Sequence, residues 1–214
     1  MKREDLQLYF IMGTSNVPHH EQSIYILEKA LQAGITMFQF REKGPHVLTG
    51  LAYEQFARQC QKRCHQYSVP FIVNDDVELA MRLGADGVHI GQDDLPVGVA
   101  RKRIGNMILG VSVHSQDELQ TAINHQADYV GIGPIFATSS KSDAQPPCGT
   151  SFLQQARYLH PELPIVAIGG INCTNAHAVF QAGADGIAVI SAICQSEDIE
   201  HTVSTFKSLC RINK

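Results

Sequence analysis

Eight short runs of strand-forming residues, at 6–13, 37–42, 70–74, 87–91, 107–113, 129–135, 164–169 and 186–191, alternate with longer segments along the chain. Several are apolar at nearly every position, among them Phe71-Ile72-Val73, Ile165-Val166-Ala167-Ile168 and Ile187-Ala188-Val189-Ile190. A strand wetted on one face alternates apolar with polar. Unbroken apolar runs require both faces to be covered, as in a parallel sheet packed under helices. The segments 23–33, 51–67, 115–126 and 176–182 carry apolar residues at the spacing of helices suited to that cover. A phrase recurs where helix gives way to strand: Gln32-Ala33-Gly34-Ile35, Leu83-Gly84-Ala85-Asp86-Gly87, Gln126-Ala127-Asp128 and Gln181-Ala182-Gly183-Ala184-Asp185-Gly186. It reads as a helix end, a Gly suited to a left-handed turn, and entry into the next strand. Such repetition points to a βα unit used over and over. Eight units in 214 residues fit an α/β chain folded as a (β/α)8 TIM barrel, one catalytic domain over 1–214. The alternative is an open doubly wound sheet, but the first run is not followed by Gly-x-Gly-x-x-Gly.

Apolar residues make up 44% of the chain and charged ones 18%, the balance of a globular protein. The net charge of −4 and the lack of a Lys/Arg block argue against a nucleic-acid partner. No apolar run approaches the roughly 20 residues that cross a bilayer, so no membrane partner is expected. The charged start, Met1-Lys2-Arg3-Glu4-Asp5, lacks the features of a secretory leader, and a cytoplasmic location is expected. Cys60, Cys64, Cys148, Cys173, Cys194 and Cys210 are scattered and are expected as reduced thiols. Cys60 and Cys64 share a helix face beside His65, but a structural zinc needs more ligands than these.

In a TIM barrel the chemistry sits at the C-terminal ends of the strands. The second run ends Phe38-Gln39-Phe40-Arg41-Glu42-Lys43, where alternation puts Gln39, Arg41 and Lys43 on one face and Phe40 toward the helices. Arginine suits bidentate contact with phosphate oxygens, although a solvated strand end is the plainer reading. The third run ends Val73-Asn74-Asp75-Asp76, and the fourth continues His89-Ile90-Gly91-Gln92-Asp93-Asp94. Carboxylates at two neighbouring strand ends point to an oxygen-ligated Mg²⁺, which takes one or two carboxylates plus substrate phosphates. Asp75 and Asp94 read equally as polar loop, and Asp76 as the N-cap of a helix starting at Val77. His89 reads as a satisfied interior histidine rather than a base. Ser112 and His114 in the fifth run have no nucleophile-elbow context. A long loop at 136–149 carries Thr138, Ser139, Ser140 and Lys141 and has the length of an active-site lid. The last two runs lead into Gly169-Gly170-Ile171 and Ile190-Ser191, the place where such barrels commonly hold phosphate.

Taken in order, Gln39-Phe40-Arg41-Glu42-Lys43, Val73-Asn74-Asp75-Asp76, His89-Ile90-Gly91-Gln92-Asp93-Asp94, Gly131-Ile132-Gly133-Pro134-Ile135-Phe136, Thr138-Ser139-Ser140-Lys141 and Ala167-Ile168-Gly169-Gly170-Ile171 resemble the thiamine-phosphate synthase family. That family joins a hydroxymethylpyrimidine diphosphate to a thiazole phosphate and releases pyrophosphate. The resemblance implies that Gln39, Phe40, Arg41, Glu42, Lys43, Asn74, Ser112 and Lys141 bind the pyrimidine diphosphate. It implies Asp75 and Asp94 as ligands of Mg²⁺, and Thr138, Ser139, Ser140, Gly170, Ile190 and Ser191 as the thiazole-phosphate site. Arg41, Lys43, Lys141 and Ser112 would carry the catalysis. One stretch departs: Ala137-Thr138-Ser139-Ser140-Lys141 stands where the family often has Pro-Thr-x-Thr-Lys. The implied partners are two small molecules, with self-association into a homo-oligomer left open. A thiazole tautomerase, a phosphosugar epimerase and a non-catalytic sensor of a phosphorylated metabolite share parts of this pattern; the tautomerase has no need of Asp75, Asp94 or the 39–43 cations.

Overall fold

The computed structural model describes residues 1–17, 19–140 and 145–212, the side chains of 211 and 212 excepted. Eight strands, β1 (Leu8–Met12), β2 (Met37–Phe40), β3 (Phe71–Asn74), β4 (Gly87–Ile90), β5 (Ile108–Val113), β6 (Tyr129–Ile132), β7 (Ile165–Ile168) and β8 (Gly186–Val189), form a closed barrel in chain order. Every ladder is parallel, and β8 closes onto β1 through pairs such as Tyr9 with Ala188. The helices are α1 (Gln22–Ala33), α2 (Gly50–Gln66), α3 (Val77–Leu83), α4 (Val97–Ile104), α5 (Gln116–Asn124), α6 (Ser151–Leu159), α7 (Ala176–Gln181), α8 (Ser191–Cys194) and α9 (Ile199–Ile212). This is the (β/α)8 TIM barrel expected from the alternating runs.

The strands are shorter than the apolar runs at their C-terminal ends. Residues 41–42, 91, 133–135, 169 and 190–191 leave the ladder and form the mouth. At the opposite end the recurring phrase has a structural meaning beyond its turn. Gly34, Gly84 and Gly183 take left-handed backbone, and Gln126 does so without the help of glycine. Two residues after each of these, a side-chain oxygen caps the preceding strand. The Asp86 carboxylate accepts from Phe71 N, Asp128 from Leu109 N and Asp185 from Ile165 N, each at 2.8 Å. Thr36 does the same for Leu8 N at 2.9 Å. Arg101 and Arg157 pair with Asp128 and Asp185 at 2.6 Å, locking the floor of the barrel.

Aromatic residues on the outward faces of β1, β2 and β3 fill the layer under the helices. The Phe40 ring lies 5.5 Å from that of Phe56 and 5.4 Å from that of Tyr53, both on α2. The six cysteines are free thiols, four of them buried; burial pushes Cys194 up to about 12. Among the described residues no group of three or more His, Cys, Asp or Glu is placed to hold a metal, and Cys60 and Cys64 sit in the core. No described helix is long and apolar enough to cross a membrane.

Candidate active site

A cavity of about 590 Å³ opens at the C-terminal mouth of the barrel. Arg41, Lys43, Asn74, Asp75, Asp94 and Ser112 line it from the β2–β5 side, and Thr138, Ser140, Gly170, Ile190 and Ser191 from the β6–β8 side. Eight parallel strands converge here, so residues scattered along the chain meet within one volume.

Arg41 is 4% exposed, and its backbone N–H donates to Met12 O at 2.9 Å, fixing the strand end that carries the guanidinium. Lys43 reaches Asp75 with Nζ 3.1 Å from Oδ2. Asp75 takes left-handed backbone with φ +62°, a conformation that Asp and Asn tolerate better than most residues. Burial raises its carboxyl from 3.8 to about 6, and a hydrogen bond with the Asp94 carboxyl adds to the rise while Lys43 opposes it. Asp94 in turn accepts from Gly91 N at 2.8 Å. Two acidic side chains therefore share one partly buried corner. Asp76 points elsewhere. It caps α3 by accepting from Leu79 N at 2.8 Å, and it accepts from Tyr53 OH at 3.3 Å.

On the far wall, Gly169 and Gly170 both have positive φ, +100° and +64°. A side chain at Gly170 would fall 2.4 Å from Ala137 O and 2.8 Å from Phe136 Cβ. The glycine thus serves the packing of this turn on the loop after β6, besides leaving its backbone open to the cavity. Ser140 Oγ donates to Ser191 Oγ at 3.0 Å, joining the loops after β6 and β8, and Thr138 Oγ1 accepts from Ser140 N at 3.2 Å.

Several implied residues lie off the cavity wall. Gln39 is 1% exposed and sits under the floor, its Nε2 donating to Tyr9 OH at 2.9 Å. It shares a face with Arg41 but lies about 7 Å deeper, at two residues of strand rise. Phe40 is buried against α2, as its outward parity dictates. Glu42 is spent on backbone and hydroxyl donors. Its Oε2 accepts from Thr14 N at 2.8 Å and its Oε1 from Leu48 N at 2.9 Å and from Thr14 Oγ1, tying the loops after β1 and β2 together. None of these three side chains is among those that line the cavity, where the resemblance implied contacts with the pyrimidine diphosphate. Ser139 is not among the cavity-lining residues. Lys141 lies outside the described residues.

Other residues reach the cavity that the sequence reading assigned no role. His114 and Glu118 form a pair, Nδ1 to Oε2 3.1 Å, on its wall. Their i, i+4 spacing was the available signal. Gln92 Nε2 donates to Ser112 O at 2.6 Å. His89 is buried, as its reading as an interior histidine anticipated, with Nδ1 3.0 Å from Tyr129 OH and Nε2 2.9 Å from Ser112 Oγ.

Fold and mouth together define a (β/α)8 barrel of the kind that gathers anion-binding groups over its C-terminal strand ends. The model of the family described as "Thiamine monophosphate synthase" matches residues 8–193. The chain is 77% identical over 214 residues to a thiamine-phosphate synthase of Lysinibacillus sphaericus (strain C3-41), covering 100% of both chains. A solved thiamine phosphate pyrophosphorylase from Pyrococcus furiosus superposes with a TM-score of 0.86 at 32% identity, covering 99% of this chain and 98% of that one. One from Bacteroides thetaiotaomicron has a TM-score of 0.65 at 16% identity, covering 98% and 99%, a likeness of fold alone. The chain belongs to the thiamine monophosphate synthase family.

Proposed function

We propose that this cavity condenses hydroxymethylpyrimidine diphosphate with hydroxyethylthiazole phosphate, giving thiamine phosphate and pyrophosphate. Thiamine-phosphate synthesis within thiamine biosynthesis, a transferase activity, follows from the family and from the full-length relative. The observation that carries the reading is that one cavity joins the cations Arg41 and Lys43 to a second hydroxyl- and glycine-lined wall across the barrel. Two phosphorylated substrates need two such anion sites facing each other.

In this reading Arg41, Lys43 and Asn74 hold the diphosphate, with Lys141 from the loop after β6. Thr138, Ser140, Gly170, Ile190 and Ser191 hold the thiazole phosphate. Asp75 and Asp94 suit Mg²⁺: their donors are all oxygen, and burial together with the neighbouring Asp94 keeps Asp75 prone to protonation, a cost that a divalent cation would relieve. Bound there, Mg²⁺ supplies positive charge opposite the diphosphate oxygens. The C–O bond between the pyrimidine methylene and the diphosphate breaks, and its electron pair leaves on the diphosphate oxygen. The thiazole nitrogen lone pair then forms the C–N bond to the methylene cation. No side chain is asked to act as a nucleophile. A diphosphate carries about three negative charges, and Arg41, Lys43 and Lys141 match them. Arg41, buried on the cavity wall, stabilises the charge that builds as the leaving group departs.

The same reading takes residues 1–214 as one cytoplasmic catalytic domain working on small molecules. It has no nucleic-acid or membrane partner, and association into a homo-oligomer is compatible with it. The net charge of −4 supports the lack of a nucleic-acid partner. The test is to supply both substrates with Mg²⁺ and to follow thiamine phosphate and pyrophosphate by mass spectrometry. Both should appear in equal amounts; absence of product would overturn the reading.

A further inference from the structure

A continuous row of polar side chains runs through the otherwise apolar barrel interior and ends at the cavity. Gln39 Nε2 donates to Tyr9 OH at 2.9 Å. Tyr9 OH lies 2.8 Å from Tyr129 OH, Tyr129 OH 3.0 Å from His89 Nδ1, and His89 Nε2 2.9 Å from Ser112 Oγ. The five residues come from β2, β1, β6, β4 and β5, so the row exists only because the barrel closes. Glycine makes room for it. A Cβ at Gly110 would fall 2.1 Å from Tyr129 Cζ and 2.5 Å from His89 Nδ1.

We propose that Tyr9 and Tyr129 are positioning residues for the reaction: through His89 they turn the Ser112 hydroxyl into a fixed hydrogen-bond donor at the cavity floor, which recognises an acceptor atom on the heterocycle. The direction follows from counting protons. Tyr9 accepts the amide proton of Gln39, so its own proton goes to its other partner, Tyr129. Tyr129 then donates to His89 Nδ1. That leaves the imidazole neutral with its proton on Nε2, which donates to Ser112 Oγ. Ser112 Oγ, having accepted, keeps its proton for the cavity that it lines. Running the row the other way strands the Tyr9 proton against an amide donor. Turning the Gln39 amide over avoids that, but it puts the amide N–H groups where Oε1 now lies buried with no hydrogen-bond partner. A stranded N–H is rarer and costlier than an under-used carbonyl. A doubly protonated His89 would leave the Tyr129 proton without an acceptor. Burial pushes both phenols well above their ordinary range, so each keeps the proton that the count requires.

The acceptor class that fits is a ring nitrogen of an N-heteroaromatic, and the inference rests on the pyrimidine reading above. A donor to that nitrogen draws electrons from the ring and does not favour a methylene cation. The contact therefore serves binding and orientation, and its loss belongs in KM rather than kcat.

Two measurements test this. Long-range ¹H–¹⁵N correlation on histidine-labelled protein, with His89 assigned by its loss in His89→Gln, reports the tautomer without substrate. A neutral ring protonated at Nε2 is expected; protonation at Nδ1, or at both nitrogens, would overturn the proposal. In kinetics, Tyr129→Phe should raise KM for the pyrimidine diphosphate about three- to tenfold, the worth of one neutral hydrogen bond, with kcat and KM for the thiazole phosphate within about twofold. Tyr9→Phe should act the same way and more weakly. Unchanged KM for the pyrimidine diphosphate in a folded Tyr129→Phe that retains activity would sink the positioning role. If the unaltered protein makes no thiamine phosphate, the functional reading fails, while the tautomer still decides the direction of the row. If Tyr129→Phe does not fold, the tautomer of the unaltered protein decides alone.

Discussion

Asp75→Asn is expected to stabilise the metal-free protein while destroying its activity. Burial and the neighbouring Asp94 lift the Asp75 carboxyl from 3.8 to about 6, so above pH 6 the folded state holds a charge that it disfavours. Lifting a carboxyl over that interval costs the folded state about 3 kcal/mol, with the opposing attraction of Lys43 already included. About a quarter of the side chain still meets water, its relative exposure being 26%, and a net gain of about 2 kcal/mol is the working figure. An asparagine amide can donate to Asp94 in place of the shared proton, and Asn accepts the left-handed backbone at this position. For a chain of this size that corresponds to a Tm higher by roughly 4–8 °C. The sign with pH follows. A raised carboxyl causes no penalty below its unfolded value and the full penalty above its folded one. The advantage of Asp75→Asn should therefore be absent near pH 4, grow toward pH 6 and stay level above it. The assay is thermal unfolding in chelator across that range, repeated with Mg²⁺, which should raise the Tm of the unaltered protein and leave the variant unmoved. Equal Tm values at pH 7.5, or a difference that does not change between pH 4 and pH 7, would refute the account of Asp75 as a strained carboxyl.

Gly170→Val should raise KM for the thiazole phosphate more than for the diphosphate, and should also lower Tm, because its Cβ would meet Ala137 O at 2.4 Å; equal KM changes would remove this turn from the thiazole site. Gly110→Ala should destabilise by about 1–3 kcal/mol through overpacking against Tyr129, read by denaturant unfolding, and a neutral result would show that the interior row has slack. Asp185→Ala strips a partner from Arg157 and from Ile165 N, so about 3–5 kcal/mol of stability should go, with KM values unchanged in the protein that remains folded. Lys141→Ala should slow kcat about 10²–10³-fold, the loss of one donor to the leaving group, as steady-state kinetics would show.

Much of this architecture was legible from residue order alone. Unbroken apolar runs such as Ile165–Ile168 have no stable home except a sheet covered on both faces, and eight strand-forming runs on βα spacing leave few arrangements besides a barrel. Parity along β2 correctly separated Gln39 and Arg41 from Phe40, because side chains alternate regardless of what the strand packs against. The placement of Arg41, Lys43, Asn74, Asp75, Asp94 and Ser112 at strand ends put them at one mouth as soon as the strands were parallel and in order. Parity says nothing about depth, however. Gln39 shares Arg41's face yet lies under the floor, since depth depends on how neighbouring strands are staggered when the barrel closes. Glu42 stands within a cationic motif, and its role in joining two loops was invisible, because its partners Thr14 and Leu48 are brought to it only by the fold. The aspartates of the recurring phrase gave a visible pattern with no visible task until the preceding strand's first N–H was placed beside each. The row from Gln39 to Ser112 was the least readable of all. Tyr9 and Tyr129 are 120 residues apart and touch across the interior of a closed barrel. Local sequence determines what a segment becomes and which way its side chains face; which distant side chains then meet, and in which direction their protons run, is decided only when the barrel closes.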